Sequence, residues 1–120
     1  MTNLELFNLW SQLAPDECKA KTDIDGKWGN KFIVSSTEYE QNGKHWRGIN
    51  TNPTPIQLAH LVPVLIQNCG DRGWELSLQN EKGLWLVTMT KHGEGQLRHT
   101  GYHSLCAIAI LEAYVNALER

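Results

Sequence analysis

The residues with the most evident chemical capacity lie between Lys91 and Gly101. This stretch, Lys91-His92-Gly93-Glu94-Gly95-Gln96-Leu97-Arg98-His99-Thr100-Gly101, gathers four basic side chains (Lys91, His92, Arg98 and His99) beside three glycines. A helix is expected to start directly after it, at about Tyr102. Helix N-termini carry unpaired amides and the positive end of the macrodipole, so they attract anions. Arginine can grip a phosphate or carboxylate with two bonds. Lys91, His92, Arg98, His99, Tyr102 and His103 therefore form a candidate site for an anionic metabolite or nucleotide. The alternative is a solvated loop whose glycines close a turn, since no phosphate-loop spacing is present.

The same region offers two further constellations. His99, His103 and Cys106 are separated by four and three residues, a spacing that would bring three zinc-type ligands onto one side of a helix. A fourth ligand is lacking, and Thr100-Gly101 marks a helix start that would take His99 out of register. The competing reading makes Cys106 a core thiol. Ser104, His103 and Glu94 could be drawn as a nucleophilic triad, but no nucleophile elbow surrounds the serine. Upstream, Asp23-Ile24-Asp25-Gly26 resembles the start of a calcium loop. The closing position holds Val34 where a glutamate is needed, so a turn is the expectation. No cofactor or metal is called for, and the balance leans away from an enzyme.

Bulk properties exclude several classes. The 120 residues suit one domain with its own core, here 41% hydrophobic and 20% charged. The net charge is −2 and the eleven Lys and Arg are scattered. Nucleic-acid binders concentrate basic residues on one face, so neither DNA nor RNA is expected as a partner. Cys18, Cys69 and Cys106 are odd in number and lack a CxxC pair, which argues against a disulfide framework or a zinc ribbon. No apolar run approaches the ~20 residues of a membrane span, and Met1–Trp10 has no basic leader. A soluble, cytoplasmic protein is expected.

The elements that must position these residues follow from periodicity. A first helix is expected over Asn3–Leu13, with Thr2 and Glu5 spaced as a capping box and Leu6, Leu9, Trp10 and Leu13 on one face. Strands are expected at Lys31–Ser35 and Lys44–Ile49. A second helix follows Thr54 as N-cap and Pro55 as first helical residue, with Pro63 awkward in its interior. Trp74, Leu76 and Leu78 alternate with polar residues as in a half-buried strand, and Leu84–Thr90 returns. The closing helix, Tyr102–Leu118, is apolar almost all round. It sets Cys106, Ile110, Ala113 and Ala117 against the sheet and leaves Ile108 and Val115 partly wet. Those two, with Trp28 and Trp46 in glycine-rich polar surroundings, form a candidate surface for a protein partner or a homodimer.

This order gives one α+β domain, a small antiparallel sheet with helices packed on both faces. Residues 1–50 supply a helix and strand segment, and residues 51–120 a helix–hairpin–helix core. Asn52-Pro53-Thr54-Pro55-Ile56-Gln57-Leu58-Ala59, then Gly73-Trp74 and a hairpin, then Cys106-Ala107-Ile108-Ala109-Ile110-Leu111-Glu112-Ala113 resemble the phage ABA sandwich domain proteins and the related NinX-like phage accessory proteins. The resemblance spans roughly residues 50–118. It implies a sheet between helical layers and a phage or prophage setting, and it implies no catalytic residues.

Overall fold

The computed structural model describes residues 2–21, 31–40, 43–91 and 98–119. Its elements are α1 (Asn3–Leu13), β1 (Cys18–Lys21), β2 (Lys31–Glu40), β3 (Gly43–Asn50), α2 (Pro55–Asp71), β4 (Trp74–Glu81), β5 (Leu84–Lys91), β6 (Arg98–His103) and α3 (Cys106–Leu118). The expected α+β class is observed, with the strands divided between two antiparallel three-stranded sheets, β1-β2-β3 and β4-β5-β6. Two compact units, Met1–Leu61 and Val62–Arg120, part within α2.

In the first unit, Thr2 caps α1 by accepting from the Glu5 amide at 3.2 Å, as the capping-box spacing predicts. The buried face of α1 is Leu6, Phe7 and Trp10, and Phe7 stacks on Phe32 of β2 with ring centroids 5.3 Å apart. Trp10 cannot be buried without a partner for its indole N–H. Its Nε1 donates to the carboxylate of Glu17 at 3.0 Å, and both residues are buried. The short strand β1, which periodicity did not foresee, pairs Cys18 with Val34 and Ala20 with Phe32. At the start of α2, Thr54 and Gln57 exchange side-chain bonds with each other's amides, completing a second capping box. Helix α2 runs through Pro63. The carbonyl of Ala59 thereby loses its usual donor, but both residues are exposed, so water can serve it.

In the second unit, Lys82 and Gly83 both have positive φ and join β4 to β5 in a two-residue turn. Strand β6 adds to β5 with Val87 opposite Gly101 and Met89 opposite His99. Its residues alternate, with His99 and Gly101 buried and Arg98, Thr100 and Tyr102 exposed. Helix α3 folds back along β6 and packs on β6 and β5. It comes so close that a side chain on Gly101 would meet the backbone of Ala109 and Ala113. Near the end of α2, Arg72 Nε donates to Tyr114 Oη at 2.7 Å. Tyr114→Phe removes the acceptor from this bond and is expected to cost about 1–2 kcal/mol, read by urea unfolding. An unchanged midpoint would mean that water replaces the bond at no loss.

Candidate functional site

The described parts of the expected ligand loop are strand: Lys91 ends β5 and Arg98 opens β6. Residues 98–103 form β6, and α3 begins at Cys106 and not at Tyr102. Arg98 and His99 are thus separated from the helix N-terminus by the length of the strand, ~17 Å at 3.3 Å per residue. Because α3 runs back along β6, the opposite helix end approaches them: Asn116 Nδ2 donates to the Thr100 carbonyl at 3.0 Å. Arg98, His99, Thr100, Asn116 and Glu119 line an open depression of about 360 Å³. It lies at the carbonyl end of α3, whose dipole repels anions, and it includes a carboxylate. The expected anion site at a helix N-terminus is therefore corrected. Of its other members, Lys91 is exposed at the end of β5, Tyr102 is exposed on the sheet face turned away from His99, and His92 lies outside the described residues.

The zinc constellation is separated by the same change of element. On a strand, His99 and His103 share a face but are ~13 Å apart along the chain. Among the described residues no three His, Cys, Asp or Glu side chains gather in a way that could hold a metal ion. His99 is buried and meets the Trp74 ring edge-on, with centroids 5.1 Å apart. His103 Nδ1 accepts from the Leu105 amide at 2.9 Å, which assigns the ring proton to Nε2 and ties the ring to the β6–α3 turn. Ser104 is exposed beside it, whereas Glu94 and the Asp23–Gly26 segment lie outside the described residues. The three cysteines are free, and the thiols of Cys18 and Cys106 are both pushed up by burial, the opposite of what nucleophilic activation needs.

Two of the four expected interface residues also need correction. Ile108 and Val115 have no exposed surface, because nearly every side of α3 is enclosed within the chain. A helix apolar all round belongs to the interior, and no second subunit is needed to cover it. Trp46 is half-buried, with the Lys19 ammonium 4.8 Å from its ring centroid. Trp28 lies outside the described residues.

What the pattern of motifs missed is the unequal treatment of the two edges of the second sheet. The β6 edge is closed by α3: Asn116 donates to the Thr100 carbonyl, and the Glu112 carboxylate accepts from the Tyr102 amide at 3.3 Å. The β4 edge has no counterpart. Among the described residues no strand pairs with β4 on the side away from β5, and no turn or loop backbone bond reaches Leu76–Asn80. Alternate residues of an antiparallel edge strand point N–H and C=O outward. Proteins usually blunt such an edge with proline, inward charge or a bulge. Trp74-Glu75-Leu76-Ser77-Leu78-Gln79-Asn80-Glu81 has no proline or lysine and keeps an unbroken register with β5. Leu78 is 44% exposed on the same sheet face as buried Val87, while Leu86 and Tyr102 are exposed on the reverse face. The absence of proline and lysine from this strand was readable in the sequence. That β4 is an edge was not, because β6 carried no strand signal.

No family model, curated protein or solved structure matches this chain.

Proposed function

We propose that the chain is a non-catalytic accessory protein that works by binding protein along the β4 edge. The observation that carries this reading is the contrast within one sheet, where α3 side chains close one edge while, among the described residues, no backbone partner meets Leu76–Asn80 on the other. Open edges are recognised by strand addition, in which backbone bonds give affinity and alternate side chains give selectivity. The phage-type resemblance of Asn52–Ala59, Gly73-Trp74 and Cys106–Ala113 fits such a role, since it implies an accessory protein without catalytic residues. Three free cysteines suit the reducing cytoplasm, where we place it. The test is a photo-crosslinking residue at Leu78, with a second at exposed Gln12 of α1 as control, in cells making the protein. Discrete adducts are expected from position 78 alone. Equal, diffuse labelling from both positions would end the reading.

A second reading rests on the depression beside Arg98. With Arg98 and Glu119 on its walls, it would suit a small ligand bearing both an anionic and a cationic group better than a phosphate. Phosphate, sulfate and nucleotides are accordingly expected to leave the melting temperature unmoved. A ligand at a hundred times its Kd would add ~2.7 kcal/mol of stability, so a clear rise with a nucleotide would revive the anion site.

A further inference from the structure

We infer that the partner of the β4 edge is a second copy of this chain, joined β4 to β4 in antiparallel register about a two-fold axis at Ser77; this rests on the strand-binding reading above. Two identical strands related by such an axis must oppose residues of like parity, because opposite residues share a sheet face. Only a few registers then remain over Trp74–Glu81, and the side chains discriminate among them. With Ser77 opposite its own copy, Leu76 faces Leu78 twice, on the face where Leu78 is 44% exposed and Leu76 half-buried. Trp74 faces Asn80, and Glu75 faces the neutral Gln79. The next register, centred on Leu78, sets Glu75 against Glu81 and Leu76 against Asn80. Like charges directly opposite are unfavourable, and apolar cross-strand pairs are favourable.

The geometry of the monomer favours the same choice. Helix α3 covers β5 and β6, and β4 lies beyond it at the sheet margin. The leucines of β4 are therefore the apolar side chains of this face that α3 leaves for another occupant. Pairing would make a continuous six-stranded sheet in the order β6-β5-β4-β4-β5-β6. Both of its outer edges would be β6 strands already closed by Glu112 and Asn116. This sheet thus stops at two copies, since neither of its outer edges remains open for a third.

Two experiments test the register and the partner together. Ser77→Cys in a Cys106→Ala background is expected to form a disulfide dimer under mild oxidation. Directly opposed residues have Cα atoms ~4.5–5.5 Å apart, within disulfide reach. Leu78→Cys in the same background should cross-link poorly, because its copy lies one diagonal step away. The Cys106→Ala chain alone is the blank, as Cys18 and Cys69 are buried. In sedimentation, Gln79→Lys creates two Glu75–Lys pairs per dimer and is expected to lower Kd about 2- to 30-fold, while Gln79→Glu should raise it by a similar factor. Cross-linking through position 78 and not 77 would overturn the register. A monomer at every soluble concentration, with no Ser77→Cys dimer, would overturn self-pairing. The reading of β4 as a protein-binding edge would then stand only if the photo-adduct from position 78 were with a different protein.

Discussion

Gly101→Ala is expected to destabilise the protein by about 3 kcal/mol, at the upper end of the range for overpacking a core. A methyl group at this position would collide with the Ala109 carbonyl oxygen and lie 2.8 Å from the Ala113 amide nitrogen. All of these atoms are backbone, so no rotamer change can make room. Relief requires α3 to lift from β6, which strains the Asn116 and Glu112 bonds to the strand edge and loosens the buried face from Ala107 to Ala117. Gly70→Ala is the matched control. Its added carbon meets nothing within 4 Å in the last turn of α2, and alanine there saves at most the roughly 0.5–1 kcal/mol that glycine costs in a helix. Urea unfolding should therefore move the two midpoints in opposite directions. A Gly101→Ala midpoint equal to that of the parent chain would show that α3 does not approach the sheet so closely.

A second large effect concerns pH. Cys18 has no exposed surface, and burial, reinforced by the neighbouring Glu17 carboxylate, pushes its thiol from 9.0 up to about 12. Below pH 9 the thiol is protonated in the folded and the unfolded chain alike, and its stabilising contribution is fully present. As pH rises past 9 the unfolded chain releases this proton while the folded chain keeps it. Stability then falls by ~1.4 kcal/mol per pH unit, or ~4 kcal/mol by pH 12. Other groups titrate in the same window, so the informative quantity is the difference from Cys18→Ala. That variant loses some packing at neutral pH but should show a shallower decline between pH 9 and 11. Parallel stability curves for the two proteins would show that Cys18 ionises as freely in the fold as in the unfolded chain.

The sequence made parts of this structure legible for identifiable reasons. The boundaries of α1 and the start of α2 follow from Thr2–Glu5 and Thr54–Gln57, because capping uses local bonds that need no tertiary context. Strands β4 and β5 follow from the alternation of Trp74, Leu76 and Leu78 and from the apolar return. Strand β6 was missed because its core-facing residues are His99, Gly101 and His103, none of them an aliphatic side chain. Gly101, read as a helix start, is there to admit the backbone of α3. That one misplacement sets Arg98, His99 and His103 at a helix start when they belong to a strand, and the expected anion and metal sites follow from it. Ile108 and Val115 were assigned to an interface because a helical wheel shows which side is apolar. It does not show that the same chain encloses every side. The open edge of β4 depended on sheet order, which periodicity does not contain.

The central claim is that β4 is the working surface and docks a second copy of itself, and amide hydrogen exchange across a dilution series tests this most directly. Raising the concentration is expected to slow exchange at alternate amides between Glu75 and Asn80, those pointing away from β5. Rates in Arg98–His103 should stay unchanged. If the β4 amides exchange at one rate from the most dilute to the most concentrated sample, or if protection grows along β6 instead, the account of this strand as a self-pairing edge is wrong.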